Sequence, residues 1–254
     1  PTEVFTITVT DSSSTETDTM TVTITVTGAN DAPSAGSDGT GAVTEDASTS
    51  TATGSITATD DDDAAAFTYS GDATGTYGAI AVDSAGAWTY TLSNSDADTT
   101  ALDAGDSVSD TFTLTVSDGT ASDSMDVVIT VTGADDDVSA GADQTGAVTE
   151  DATATTATGT VAASDADADS SLSYAIGTAA GTYGSLAMSG AAWTYTLDNA
   201  DADTTALDAG DAPTEVFTIT VTDSSSTETD TMTVTITVTG ANDAPSAGSD
   251  GTGA

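Results

Sequence analysis

The 254-residue sequence lacks four residue types that carry much of protein chemistry: cysteine, histidine, lysine and arginine. Without cysteine the chain can form no disulfide, and without thiolate or imidazole ligands the usual zinc and copper sites are excluded. The same absences exclude catalytic triads and Schiff-base chemistry. Paired carboxylates across a cleft could still hydrolyse glycosides, but nothing in the sequence marks such a cleft. We therefore expect no enzymatic activity.

Positive charge is absent while negative charge is abundant, since the chain carries 36 Asp and 6 Glu for a formal net charge of −42. No side chain can neutralise these carboxylates, and two of them about 4 Å apart repel by roughly 4 kcal/mol at an effective dielectric constant near 20. Compact folding therefore requires cations from solution, either as bound ions or as concentrated salt. Nucleic acid and anionic membrane surfaces are poor partners for such a chain.

Long hydrophobic runs are also missing, so we expect no membrane insertion in this segment, and the sequence shows no signal peptide. Aromatic residues make up only 5% of the chain, and few aromatics with high net charge are typical of disorder. Against disorder, valine, isoleucine and leucine alternate with threonine over many short stretches, a pattern that favours β-strands. The sequence therefore predicts a β protein that folds when cations are present.

Repeats organise the sequence on two scales. Residues 1–42 are identical to residues 213–254, and a weaker repeat inside this period returns the strings TGAVTEDA, WTYTL and DADTTALDAGD. We predict the last strands of one repeat with a linker, two complete repeats and the start of another, at residues 1–32, 33–137, 138–244 and 245–254. The simplest interpretation is a window on a longer tandem polymer. The alternative is a true terminus whose hairpin completes a neighbouring subunit by strand addition.

Period-two alternation predicts the fold of each repeat. In the first repeat the predicted strands include GSITATD (54–60), AFTYS, TYGAIAV, AWTYTL, DTFTLTVS and MDVVITVT. Alternation puts Trp88, Tyr90 and Leu92 on one face and threonine on the other, which is typical of an antiparallel sandwich. We predict an all-β protein of tandem immunoglobulin-like antiparallel β-sandwich domains joined end to end. The segment DADTTALDAG predicts a short helical turn with Leu102 facing the core.

Most aspartates are expected to be solvated turn residues, but three acidic groups stand out by position. They are the repeat junctions (Asn30, Asp31, Asp135, Asp136, Asp137, Asn242, Asp243), a group 30 residues later (Asp60 to Asp63, Asp165, Asp167, Asp169), and a pair near each first strand (Glu45, Asp46, Glu150, Asp151). Oxygen-only ligands in irregular geometry suit calcium better than magnesium. No segment has the spacing of an EF-hand loop. The sequence predicts calcium as the bound ion.

The ordered strings TGTYG, WTYTL, LDAGD and ITVTGANDAP resemble the VCBS and cadherin-like repeats of giant bacterial surface adhesins. The resemblance covers both complete repeats and the partial ones. It implies extracellular β-sandwich extenders that bind calcium at or near the domain junctions.

The resemblance also implies ligands at matching positions of this sequence. These are the linker pairs (Asn30 and Asp31, Asn242 and Asp243, with Asp135 and Asp136 between them), the paired aspartates (Asp60 and Asp62, Asp165 and Asp167), the strand-end aspartates (Asp118, Asp223), the first-strand glutamates (Glu45, Glu150) and the Leu-Asp aspartates (Asp103, Asp208). The family's Arg-Glu after Leu-Asp is replaced here by Ala-Gly. We expect one or two ions per junction, held by the domain before it, the linker and the domain after it.

These observations favour a structural extender of a large secreted bacterial adhesin or extracellular filament at the cell surface. Its expected partners are copies of itself in a tandem chain or fibre, with cell-surface or matrix glycans bound by regions outside this window. The alternative is a carbohydrate- or protein-binding adhesive module, although identical repeats favour spacing over recognition. A further alternative treats the acidity as the solvation shell of a halophilic protein, which predicts stability that follows monovalent salt and ignores chelators.

Overall fold

The computed structural model describes residues 1–62, 66–168, 171–226 and 228–245, and within these ranges the regular elements are strands, with no α-helix. No described helix is long and apolar enough to cross a membrane. The strands are β1 Thr2–Thr10, β2 Thr17–Thr25, β3 Gly39–Thr44, β4 Thr51–Ser55, β5 Thr68–Ser70, β6 Ala73–Thr74, β7 Gly78–Val82, β8 Ala87–Leu92, β9 Ser107–Ser117, β10 Ser122–Thr132, β11 Gln144–Thr149, β12 Thr156–Thr160, β13 Leu172–Ile176, β14 Gly184–Ser189, β15 Ala192–Leu197, β16 Thr214–Asp223 and β17 Thr229–Thr239.

The first complete repeat forms two sheets, with strand orders β3-β10-β9-β5 and β4-β8-β7-β6. Alternation places Trp88, Tyr90 and Leu92 of β8 inward, and all three are buried. The rings of Tyr90 and Phe112 lie 5.8 Å apart across the two sheets. The predicted sandwich is therefore confirmed. The predicted strand over 54–60 is displaced, because β4 ends at Ser55 and only an isolated bridge from Ser34 to Thr59 follows.

The second complete repeat has the same layout, with strand orders β11-β17-β16-β13 and β12-β15-β14. Its core draws on both sheets, since Trp193, Tyr195 and Leu197 of β15 are buried with Phe217 and Val234. One pairing differs from a purely antiparallel sandwich, because β11 lies parallel to β17 from Gln144↔Val234 to Thr149↔Thr239. The first and last strands of the repeat therefore run in the same direction.

The turn predicted between β8 and β9 is confirmed, with Leu102 only 6% exposed. Backbone hydrogen bonds from Thr99 and Thr100 to the carbonyl of Asp96 make this segment a series of turns rather than a regular helix. Gly133 allows the outgoing linker to pass close to this segment, because a Cβ there would lie 2.4 Å from the carbonyl oxygen of Asp103. The linker and the Leu102–Asp103 loop are thus held side by side.

The hairpin β1–β2 has the same sequence and register as β16–β17. Its surroundings differ, since Phe5 is 49% exposed whereas the matching Phe217 is 3% exposed. The same alternating sequence thus forms the same hairpin with and without a covering sheet.

The chain divides into two compact units whose limits differ from the predicted repeats. One unit contains residues 1–43, 51–92 and 109–130, and the other contains 44–50, 93–108 and 131–254. The loops after β3 and β8 of the first repeat therefore belong to the same unit as the linker and the whole second repeat. The repeat boundaries read from the sequence stay a prediction.

Candidate metal centre

The middle junction, around residues 131–137, is built on a backbone scaffold that begins at Glu45. The N–H of Glu45 donates to the carbonyl of Thr132 at 2.9 Å, so the end of β3 is held against the end of β10. The N–H of Ala134 in turn donates to Glu45 Oε2 at 3.2 Å. Asp46 follows with a φ of 50°, a left-handed conformation that aspartate tolerates better than most residues. Glu45 is 2% exposed and is fixed beside the linker.

The second half of the scaffold holds the paired aspartates of the next repeat against the same linker. Ser139 and Ser164 exchange two backbone hydrogen bonds of 2.8 and 2.9 Å. Closer to the linker, the N–H of Asp136 donates to Asp167 Oδ2 at 2.9 Å. The N–H of Asp167 donates to Asp165 Oδ1 at 3.1 Å, which closes a tight turn between the two aspartates. These hydrogen bonds therefore hold three segments that are far apart in sequence against one another.

Unpaired oxygen atoms mark this place. The described residues contain seven buried side-chain nitrogen or oxygen atoms without a hydrogen-bond partner, and four of them are Glu45 Oε1, Asp136 Oδ2, Asp165 Oδ2 and Asp167 Oδ1. A buried acceptor without a partner costs roughly 1–3 kcal/mol, and more when it is charged. Four of these seven atoms therefore lie at one junction.

The pKa values of three carboxylates at the junction are also raised. Burial raises the pKa of Glu45 to about 7, and the charges of Asp136, Asp46 and Asp167 add to the rise against the hydrogen bond from Ala134. Burial, Asp46 and Asp167 raise the pKa of Asp136 to about 6. The pKa of Asp167 is also raised, by burial and then by Asp165, Asp135 and Asp103. Each shift means that the ionised cluster is unfavourable on its own.

The donor set fits a hard divalent cation. Every candidate ligand is an oxygen atom, which suits calcium or magnesium and not a thiophilic metal. Within the described ranges no three carboxylates already converge on one point in the manner of a finished metal site. They meet as pairs instead, such as Asp46 with Asp136, and they line two cavities that share Asp135. One is lined by Asp46, Thr100, Asp135, Asp136, Asp137 and Ala166, the other by Asp103, Ala104, Asp135, Ser225 and Ser226.

At the first junction, Asn30 and Asp31, the described residues supply the half that comes from the linker and the following repeat. The N–H of Asp31 donates to Asp62 Oδ2 at 2.9 Å and that of Asp62 to Asp60 Oδ1 at 2.8 Å, as in the middle junction. Asn30 Nδ2 donates to Asp118 Oδ2 at 3.0 Å. Residues 1–29 contain no counterpart of Glu45 or Asp103. Asp60 Oδ2 is nonetheless buried without a partner.

At the third junction, Asn242 and Asp243, the described residues supply the half that comes from the preceding repeat. Glu150 is 2% exposed and accepts the N–H of Ala241 at 3.0 Å through Oε2. Asp151 repeats the positive φ of Asp46 at 56°. Residues 245–254 match 33–42, so the counterparts of Asp60 and Asp62 would lie beyond residue 254. Glu150 has the scaffold of Glu45 without the facing aspartates.

The strand-end aspartates, Asp118 and Asp223, accept hydrogen bonds from the loops that follow them. Asp223 accepts hydrogen bonds from the hydroxyls and amides of Ser225 and Ser226 and from the amide of Ser171. The pKa of Asp223 lies far below its usual range, mainly because of the hydrogen bond from the Ser225 hydroxyl. The pKa of Asp118 is lowered first by the amides of Ala121 and Thr120 and then by Asn30. Their role as metal ligands stays a prediction. Asp169 lies outside the described residues.

Among the acidic residues that sequence reasoning missed, two are buried and a third lies beside the middle junction. Asp110 is buried and accepts hydrogen bonds from Tyr90 Oη at 2.9 Å and from the amides of Thr76 and Tyr77, and Glu215 makes the matching contacts in the second repeat. Both sit at inward positions of their strands, so strand alternation could have identified them. They hold a tyrosine and a turn in place. The third is Glu228, which lies within hydrogen-bonding range of Asp137.

Comparison with known proteins identifies the fold family. The family model described as bacterial cadherin-like domain matches residues 30–133 and 135–240. A search of curated proteins finds no match. The cadherin-like part of the resemblance is therefore confirmed, and the narrower VCBS assignment stays a prediction.

Solved structures that align with the chain are distant in sequence. A crystal structure of mouse protocadherin-24 EC1-3 is 14% identical, with a TM-score of 0.47, over 94% of this chain and 79% of that one. Drosophila N-cadherin EC1-4 is 19% identical, with a TM-score of 0.33, over 94% and 58%. An endo-fucoidan hydrolase of glycoside hydrolase family 107 is 16% identical, with a TM-score of 0.34, over 94% and 34%.

Proposed function

Because this chain belongs to the bacterial cadherin-like domain family, we propose that it is an extracellular structural module in which divalent cations fix consecutive β-sandwich repeats to one another. Calcium is the proposed ion, and a spacer segment of a large secreted adhesin or surface filament is the proposed context. The proposed role is mechanical rather than enzymatic. The buried, partnerless oxygens of Glu45, Asp136 and Asp167 at the middle junction are the observation that supports it.

The residues of the junction define what a bound ion would do. Glu45 and Asp103 belong to the first repeat, Asp135 and Asp136 to the linker, and Asp165 and Asp167 to the second repeat. A calcium ion bound there would supply the positive charge that the chain lacks and would use oxygens from all three segments. Since the linker is otherwise a few small and acidic residues, sharing one ion restricts its rotation. Cation binding to the folded form also stabilises it.

The proposal can be tested by a distance measurement across the junction. The chain contains no cysteine, so Thr111→Cys and Thr218→Cys, at exposed positions of β9 and β16, introduce two unique spin-label sites. With calcium, we expect a single narrow distance distribution between the labels. With excess chelator at the same ionic strength, we expect a distribution several times broader.

A matched pair placed inside one repeat provides the control, because its distance should not respond to calcium. Equal widths with calcium and with chelator across the junction would contradict the proposal.

A further inference from the structure

One outer face of the second repeat has no charged residue at the outward positions of its four strands. The sheet β11-β17-β16-β13 buries alternate residues such as Phe217 and Val234, so the residues between them point outward. On β17 every outward residue from Thr229 to Thr239 is threonine, and on β16 the outward residues from Thr214 to Thr222 are threonine except Val216. The outward residues of β11 and β13 are threonine, serine and alanine. We call this surface the threonine face.

Strand pairing arranges the side chains of the threonine face in rows. Thr235 of β17 pairs with Val216 of β16 on one side and with Thr145 of β11 on the other. Val216 is 62% exposed. Each threonine presents a methyl group together with a hydroxyl that can donate and accept a hydrogen bond. The face therefore combines apolar contact area with hydrogen-bonding groups that match those of a second, identical face.

The distribution of charge favours a second copy of the chain as the partner of this face. The chain carries 42 carboxylates and no basic side chain, so two copies repel each other wherever their carboxylates meet. Within the four strands the carboxylates are Glu215, Asp223 and Asp230, all at inward positions; the first two are buried and the third binds a backbone amide. Asp143, just before β11, accepts the N–H of Thr233 at 2.7 Å and marks the border of the face. Two copies that meet at the middle of this face therefore bring hydroxyl and methyl groups together instead of carboxylates.

The first repeat provides a natural comparison. Its sheet β3-β10-β9-β5 has the exposed residue Asp126 at the position of Thr233. The hydroxyl of Thr113, an outward residue of β9, donates to Asp126 Oδ1 at 2.8 Å, so this carboxylate lies on the outer face. The first repeat thus presents a negative charge where the second repeat presents a hydroxyl.

The size of the face determines how strong a contact it can make. The nine paired residues of β16 and β17 span about 30 Å and four strands span about 14 Å, which gives roughly 400 Å². A standard protein interface buries about 800 Å² on each partner. One threonine face therefore supports a weak contact, and a strong one requires several repeats of a tandem array to engage together.

We propose that the threonine face is a lateral contact surface for a second copy of this chain, with the two sheets stacked face to face about a two-fold axis. The inference goes beyond the proposed function, because it assigns a partner to a strand face and requires no cation at a junction. In a tandem array, the contact recurs at alternate repeats, since the repeat that carries Asp126 lacks an uncharged face of this kind.

Three variants of the whole 254-residue chain test the contact: Thr233→Asp, Thr233→Asn and Asp126→Thr. The first two introduce side chains of similar size that differ in charge, and Asp126 shows that this strand position accepts aspartate. Sedimentation velocity should be measured from micromolar to millimolar concentration, with calcium and at constant ionic strength. We expect the sedimentation coefficient of the unchanged chain and of Thr233→Asn to rise with concentration. Thr233→Asp should weaken association at least about tenfold, because it places like charges across the contact. Asp126→Thr should strengthen association by adding a second uncharged face.

The exposed inner face of the hairpin β1–β2 is the same in every variant, so differences between variants report on the threonine face. Melting followed by circular dichroism verifies that each variant is folded. The pair Thr218→Asp and Thr218→Asn, on the neighbouring strand β16, repeats the comparison if Thr233→Asp unfolds.

Two results would overturn the inference directly: an unchanged chain that stays monomeric up to millimolar concentration, or equal association of the Asp and Asn variants. Binding of the monomeric chain to cellulose, a neutral polysaccharide, that is lost in the Asp variants would assign the face to a glycan and would also overturn it. These outcomes do not depend on calcium binding at the junctions, so this inference and the proposed function can fail separately.

Discussion

The middle and third junctions each contain a glutamate at the matching position, but the residues around the two glutamates differ. Glu45 and Glu150 are equally buried, and each accepts a linker amide through Oε2. Glu45 also faces Asp136 and Asp167, and its Oε1 has no partner. The two complete repeats therefore share the backbone scaffold, whereas the buried, partnerless glutamate oxygen belongs to Glu45, which faces a second repeat. The proposed cation therefore belongs to the junction rather than to the single domain.

Removing divalent cations should produce the largest effect on this comparison. If calcium binds the folded chain alone, a concentration about a thousand times the dissociation constant adds about 4 kcal/mol to the free energy of unfolding. For a chain of this size we expect the melting temperature to fall by about 10 °C in excess chelator. Melting followed by circular dichroism at constant, high sodium chloride measures this. A melting temperature that follows sodium chloride and ignores the chelator would favour the halophilic alternative.

Hydrogen exchange of the backbone amides should locate the stabilisation that calcium provides. With calcium, we expect slower exchange of amides in 44–50 and 131–137, where the middle junction lies. The matching amides in 149–155 and 239–243 should change little, because no aspartate pair faces them. Uniform protection of both regions would indicate general charge screening instead of a junction site.

The pH dependence of the calcium-free chain should be the next largest effect. The pKa of Glu45 is about 7 in the folded chain and about 4.3 for an unfolded glutamate. Stability contributed by the protonated form is therefore complete below about pH 4 and is lost as the pH rises through 7. In chelator we expect Glu45→Gln to gain on the order of 2 kcal/mol relative to Glu150→Gln at pH 8, since one pKa unit corresponds to about 1.4 kcal/mol.

Urea denaturation at pH 5 and pH 8 measures this difference between the two variants. The gain should fall to less than half of its pH 8 value at pH 5, where Glu45 is protonated in the folded chain and mostly ionised in the unfolded one. Equal pH dependence of the two variants would show that the facing aspartates do not act on Glu45.

A comparison of the two cores gives the smallest predicted effect. Trp193 Nε1 donates to Gln144 Oε1 at 2.8 Å, while Trp88 Nε1 is buried without a partner because Gly39 occupies the matching position. A Cβ at Gly39 would meet only side chains, at 3.2 Å or more. We expect Gly39→Gln to stabilise the first repeat by about 1 kcal/mol, and Gln144→Gly to destabilise the second. Urea unfolding of both variants measures this, and a destabilised Gly39→Gln would contradict it.

Strand alternation was sufficient to predict most of the fold. The inward positions of β8, β9 and β10 and the turn that buries Leu102 follow from side-chain period and turn composition alone. The strand predicted at 54–60 was displaced because alternation continues past Ser55 although the backbone pairing stops. The parallel pairing of β11 with β17 depends on long-range topology, which local periodicity does not encode.

The candidate site was predicted only as far as position in the repeat allows. The family resemblance implied that Glu45, Asp136 and Asp167, from three separate acidic groups, contribute to one junction, and the structure places them close to one another. Glu228 was missed because its position depends on the conformation of a lengthened loop. Asp110 and Glu215 were missed because we treated carboxylates as surface residues. Both carboxylates are buried, and each accepts hydrogen bonds from a tyrosine hydroxyl and from backbone amides.

Calcium affinity of two matched variants tests the central claim most directly. Calorimetric titration of the whole chain should compare Glu45→Gln with Glu150→Gln, which remove the same charge from equally buried positions on the same scaffold. We predict that Glu45→Gln weakens the tightest calcium step by at least about tenfold, or about 1.4 kcal/mol, while Glu150→Gln leaves it within twofold of the unchanged chain. Equal affinities of the two variants, or an unchanged tight step in Glu45→Gln, would contradict the account.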